Sequence, residues 1–187
     1  MAVAGVALVG GVLSPVVASA ADSSSTVVEA TVASVISVSS SATVAISVTP
    51  TSGGAEAVGT DTVTVSSNDA DGYTLTLANS DGTSTMAGFK DDGVTSNGET
   101  LAATGGTFAS PAALTTNAWG FRVDDLGTFG ANGATTYAPV ISGGNTIRDT
   151  SATANSQTTT VKYGVKVDLS KPNGIYRDTV TYTATAK

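Results

Sequence analysis

Apolar residues recur at every second position through long parts of this chain. In TDTVTVSS (60–67) Val63 and Val65 share one face, and Thr62 and Thr64 point the other way. GYTLTLA (72–78) aligns Tyr73, Leu75 and Leu77. AWGFRV (118–123) sets Trp119, Phe121 and Val123 against Gly120 and Arg122. ATVAISV (42–48) places Val44, Ile46 and Val48 together, and TVVEATVASVISVSS (26–40) is a long Thr/Val/Ile run. Period two over such lengths predicts half-buried strands, not helices.

The last stretch is the most regular. TTTVKYGVKVD (158–168) aligns Val161, Tyr163, Val165 and Val167, and IYRDTVTYTATA (175–186) aligns Tyr176, Val180 and Tyr182. Between them SKPNG supplies turn residues, so the two runs predict a terminal antiparallel hairpin. Between 79 and 117 the pattern weakens into Gly, Ser, Thr and Asp. Short strands or loops are expected there, with Met86, Phe89, Leu101 and Phe108 dipping into a core. A second Gly/Asn-rich loop spans 127–133, with YAPVI beyond it. About eight to ten strands, with no internal repeat and no helical stretch after the first twenty residues, predict an all-β fold. The expected form is an antiparallel β-sandwich, Ig-like or jelly-roll-like, over 42–187. A Ser/Thr/Val-rich segment, 21–41, precedes it.

Residues 1–20, MAVAGVALVGGVLSPVVASA, break the pattern with an uncharged apolar run, a Pro15 break and a small-residue end. Ala18-Ser19-Ala20 fits the A-x-A cleavage signal of a secretory leader. Retained as a helix, the twenty residues would span about 30 Å, so an uncleaved N-terminal membrane anchor is the rival. Both readings put the remainder of the chain outside the cytoplasm, secreted or at the cell surface.

Composition narrows the chemistry. The 187 residues carry a net charge of −7, and the first basic residue is Lys90, which argues against nucleic acid as a partner. There is no Cys and no His. Disulfides, thiol nucleophiles, Ser-His-Asp triads and His- or Cys-ligated zinc are therefore excluded. Three Glu and few aromatics give no carboxylate pair across an aromatic-lined cleft, as glycoside hydrolysis needs. No enzyme activity and no cofactor are expected.

Three stretches resemble a known group: GTDTVTVSSNDADGYTLTLA, GTFASPAALTTNAWGFRVDD and TTTVKYGVKVDLSKPNGIYRDTVTYTATA. They are similar to secreted surface proteins of small-genome candidate-phyla bacteria of the Saccharibacteria kind, over most of 43–187. More distantly they resemble the WxL-type cell-wall-binding domains of Gram-positive surface proteins. Gly72-Tyr73 and Gly174-Ile175-Tyr176 match that outline, whereas Trp119 is followed by Gly120-Phe121, so no W-x-L triplet is present. The resemblance implies location and fold more than chemistry.

Three acidic groups are the weak calcium candidates: Asp69 with Asp71, Asp91 with Asp92, and Asp124 with Asp125. Calcium takes six to eight oxygens, and a calcium loop needs a third ligand before its Gly and a closing Glu. Gly72 follows Asp71 directly and no Glu closes the loop, so an Asn/Asp/Gly turn is the expected role. Trp119 is the weak glycan-stacking candidate, although its alternation with Phe121 and Val123 favours the core. The expected function is a secreted, non-enzymatic structural or adhesive protein of the cell surface. Cell wall, surface glycans or a host-cell surface are the partners it implies. The alternatives are a carbohydrate- or cell-wall-binding module, or a pilus- or fibre-like subunit built through the free strand 26–38. Oligomeric state is left open.

Overall fold

In the computed structural model the described residues are 21–124, 126–129 and 135–187. The expected leader and its cleavage residues, Ala18 and Ala20, lie outside them, as do Asp125 and most of the loop 127–133. The chain divides into two units, Met1–Val32 and Ala33–Lys187. Of the first unit, residues 21–32 form no ladder and are exposed throughout. Among the described residues no helix is long and apolar enough to cross a membrane.

The second unit is all-β. Its larger sheet contains seven strands: β1 (Ile36–Ser39), β2 (Ala55–Ser67), β4 (Met86–Phe89), β5 (Ser96–Ala103), β7 (Ala118–Val123), β10 (Ala154–Val167) and β11 (Ile175–Arg177). Their order is β1-β2-β10-β7-β5-β4-β11. A smaller sheet holds β3 (Tyr73–Asn79) between β12 (Val180–Ala186) and β9 (Asn145–Asp149). A two-stranded ribbon pairs β6 (Ala112–Ala113) with β8 (Thr136–Tyr137), and one short 3-10 helix covers Gly127–Phe129. Pairing is antiparallel except for β5 with β7, which run parallel over two residues.

The two main sheets bury a common core, as a β-sandwich does. Tyr73, Leu75, Leu77 and Ile147 from the small sheet meet Val63, Val65, Trp119, Phe121, Val123, Val161 and Tyr163 from the large one. These are the alternate positions of each strand, as period two requires. Phe108, Phe121 and Phe129 close one region of the core, with ring centroids 5.6–6.1 Å apart.

The strand β7 is buried at every position, so both of its faces are covered. The reason is a slot on the outer face of the large sheet. Gly120 and Gly164 stand directly opposite each other in the β7–β10 ladder. With no side chains there, the ring of Tyr137 lies against the backbone: a Cβ on Gly164 would sit 2.6 Å from its Cζ. The Tyr137 hydroxyl then donates to Glu56 Oε1 at 3.0 Å.

Three expectations need correction. The terminal hairpin does not form: β10 pairs with β2 and β7, whereas β12 pairs with β3 in the other sheet. Both edges of β10 are already occupied, so the strand that follows has none to join. The chain instead adds β11 to the edge strand β4, then crosses at Asp178-Thr179. Second, 42–48 forms no ladder, although Val44, Ile46 and Val48 do pack on the core. Third, of the run 26–40 only Ile36–Ser39 is a strand.

Candidate functional site

Of the acidic candidates among the described residues, Asp69 and Asp92 bond within their own loops, and Asp91 and Asp124 bond to neighbouring elements. Asp69 Oδ1 accepts the Asp71 N–H at 2.9 Å, and the Gly72 N–H donates to the Asp69 carbonyl. Gly72 has φ +90°, and a Cβ there would run into the Thr150 carbonyl, so this corner admits glycine alone. Asp92 accepts the N–H groups of Val94 and Thr95 and the Thr95 hydroxyl. Those bonds to the ionised form hold its carboxyl below the usual range. Asp91 accepts from Asn173 Nδ2 at 2.9 Å. Burial pushes the Asp124 carboxyl up, but Lys162 at 2.7 Å and Arg122 at 3.0 Å outweigh it and hold it low. Among the described residues no three carboxylates gather into a group that could hold a metal ion.

Trp119 is 2% exposed and faces the core. Its indole N–H donates to the Ser84 carbonyl at 2.9 Å, and its ring lies 6.5 Å from that of Tyr163. A ring so placed offers no face to a sugar.

Two features were not foreseen from the sequence. The first is a shallow hollow of about 430 Å³ where the β4–β5 loop meets the turn after β10. Lys90, Asp91, Ser96, Asn97, Pro172 and Asn173 line it. Its wall is tied by the Lys171–Glu99 ion pair at 2.7 Å and by Arg177, which lies over the Phe89 ring at 4.5 Å and donates to the Gly93 carbonyl. Amide, hydroxyl, carboxylate and ammonium groups side by side can bond a hydroxyl-rich ligand. The Pro-Asn-Gly run marked one of the two turns, but nothing in the pattern told that it lies beside the β4–β5 loop.

The second is a polar network inside the sandwich. Asp61, on the inward face of β2, is 2% exposed. Its Oδ1 accepts the Ser41 N–H at 3.0 Å, and the Tyr182 hydroxyl approaches the same carboxylate. Tyr182 shares a 2.7 Å hydrogen bond with the Tyr163 hydroxyl. Burial pushes both phenols well above their ordinary value. A buried carboxylate is tolerated when its acceptors are used, and this one ties β1's exit, β2, β10 and β12 to one point. The alternation of 60–67 hid it, because Asp61 occupies an inward position that the pattern assigns to an apolar residue.

Compared with family models, with curated proteins and with solved structures, the chain matches none.

Proposed function

We propose that this protein is a non-enzymatic structural or adhesive module of the cell exterior, a β-sandwich preceded in sequence by the exposed segment 21–32. One observation carries the reading: the loop carboxylates Asp69, Asp92, Asp124 and Asp168 are each bonded within their own loops or to neighbouring strands. Side chains used in this way stiffen loops instead of presenting reactive groups. The exposed, Thr/Val/Ala-rich stretch 21–32 suits a spacer between the sandwich and whatever holds it. Protease treatment and antibody labelling of intact cells test the proposal. The sandwich should be labelled without lysis; labelling only after lysis would refute the external location.

A second reading is favoured by the hollow lined by Lys90, Asn97 and Asn173. There the protein would be a carbohydrate- or cell-wall-binding module. Purified wall and a glycan panel test it, with Asn97→Ala and Asn173→Ala as probes. Retention that both substitutions abolish supports this reading, and no retention removes it.

A further inference from the structure

Three Asn-Gly pairs stand in this chain: Asn97-Gly98, Asn132-Gly133 and Asn173-Gly174. The second lies outside the described residues. Such a pair carries its own chemistry. Glycine has no Cβ, so its nitrogen reaches the carboxamide of the preceding Asn with less hindrance than that of any other residue. Attack there expels ammonia, which is one reason Asn counts among the thermolabile residues. Asn97 and Asn173 both line the hollow between the β4–β5 loop and the turn after β10, yet they are held differently.

Asn97-Gly98 is fastened at the groups the reaction needs. The Gly98 N–H donates to Ser96 Oγ at 3.1 Å, and Asn97 Oδ1 accepts the Glu99 N–H at 3.0 Å. Both residues belong to β5, and Asn97 is half-buried.

Asn173-Gly174 lies in no strand, and both residues are exposed. Among the described residues the Gly174 N–H meets no acceptor. The Asn173 amide has one partner, Asp91 Oδ2, to which Nδ2 donates at 2.9 Å. The turn is fixed on either side of it. The Tyr176 hydroxyl donates to the Pro172 carbonyl at 3.1 Å. Gly174, at φ +144°, backs onto the Phe89 carbonyl so closely that a Cβ would run into it. The fold thus demands glycine at 174, and with it an unshielded nitrogen beside the Asn173 carboxamide.

We propose that Asn173 is a site of spontaneous deamidation, and that the conversion unlatches this turn from the β4–β5 loop. The Gly174 nitrogen gives up its proton to solvent and bonds to Asn173 Cγ. The Cγ–Nδ2 bond breaks, Nδ2 takes a proton and leaves as ammonia, and a cyclic imide remains. Water opens the ring at Cγ to give aspartate, or at the backbone carbonyl to give isoaspartate. No group is oxidised or reduced. Either product gains a carboxylate here and loses the amide that donated to Asp91. Two carboxylates within hydrogen-bond reach disfavour each other's ionised form, so an attraction becomes a repulsion. Lys90, on the same hollow, is the cation left to meet the new charge, since Lys171 is held by Glu99. The inference goes beyond the proposed external role and stands apart from it: conversion is read by mass on purified protein, display on intact cells.

The test is peptide mapping of the full chain by mass spectrometry, with fragmentation that separates aspartate from isoaspartate. Folded and denatured samples are aged in the same mildly alkaline buffer. Relative to the denatured chain, folding should slow Asn97 at least about tenfold more than Asn173, the ratio that about 1.4 kcal/mol of hydrogen bonding gives. Asn173→Gln, whose longer side chain closes a ring far less readily, should stay intact. Hydrogen exchange in the loop 90–95 reads the latch. It should be faster in Asn173→Asp than in Asn173→Ala, which loses the same bond without adding charge, and the excess should vanish when Asp91→Asn is added. Equal protection of Asn97 and Asn173 by folding, or equal exchange in Asn173→Asp and Asn173→Ala, would overturn the proposal.

Discussion

Two stretches of this chain have nearly the same composition and differ in every structural respect. Both 60–67 and 26–35 mix valines with Thr, small residues and one acidic residue, but only 60–67 keeps its valines at every second position. The first lies in β2, flanked by β1 and β10, with Val63 and Val65 fully buried. The second has no ladder partner among the described residues, and its valines lie in water. The alternating run 42–48 also enters no ladder, so alternation reports competence to pair, not pairing. The strand forms where two edges and a facing apolar layer are supplied, because burial and not backbone preference supplies most of the stabilisation.

The largest way to sharpen the contrast is to empty the layer that β2 faces. Trp119→Ala removes a fully buried indole stacked on Tyr163 and bonded to Ser84. A loss of about 3–5 kcal/mol is expected, the usual range for a large aromatic site. Denaturant unfolding measures it. In the wild type Trp119 emission should be blue-shifted and poorly quenched. Stability left intact would place the indole outside the core.

Next comes the outer face of the same sheet. Gly164→Ala sets a methyl against the Tyr137 ring, and Gly120→Ala sets one 2.7 Å from Thr104 Cγ2 and 2.8 Å from the Ala138 carbonyl. Overpacking of this kind costs typically about 1–3 kcal/mol. Gly120→Ala should be the worse of the two, since a backbone carbonyl yields less than a ring. Tyr137→Phe should cost less than either, because only its bond to Glu56 is lost. Equal stability for all three would show that the ring does not fill the slot.

What the sequence made legible divides along the same line. The inward valines of β2, the aromatic alternation of β7 and the apolar row of β3 were each visible, because half-buried strands write their faces at period two. The sheet membership of β10 and β12 was not. A five-residue turn between two strands looks the same whether they pair or part, and the outcome rested on β2 and β7 having taken both edges of β10. Gly120 and Gly164 looked like weak points in strands; their use appears only when Tyr137, seventeen and twenty-seven residues away in sequence, packs between them. Asp69 was readable as a turn former from the residues beside it, since an Asx turn is local; Asp92, read only as one of an acidic pair, forms one as well. The hollow and the Asp61 network join residues from distant strands, and no local pattern encodes that.

A third test uses pH and acts on the interior alone. Burial raises the phenols of Tyr163 and Tyr182, and their ordinary value is about 10. Above that pH the unfolded chain releases these protons and the folded one keeps them. The stabilisation is thus complete below about pH 10 and is lost as pH rises through and beyond it. Melting temperature should fall on that side, and Tyr182→Phe should flatten the fall. The stretch 26–35 has no titrating phenol, so proteolytic cutting there should not follow the same curve. A melting temperature insensitive to alkali would mean that the two hydroxyls are open to water.

The smallest expected effect belongs to the free stretch. Val28→Asp puts a charge on a side chain that is 90% exposed, outside the unit Ala33–Lys187. Surface substitutions away from caps, cores and networks usually fall within about 0.5 kcal/mol. The sandwich should therefore unfold at the same denaturant concentration with the same slope. Val63→Asp, the same change in the buried alternating run, should abolish folding, because an unpaired carboxylate would sit in the core. Identical chemistry then gives one silent and one disabling outcome. Should Val28→Asp destabilise the protein by more than about 1 kcal/mol, well outside the surface range, Val28 would not be the exposed side chain seen in this structure. The contrast between the two valine runs would then disappear.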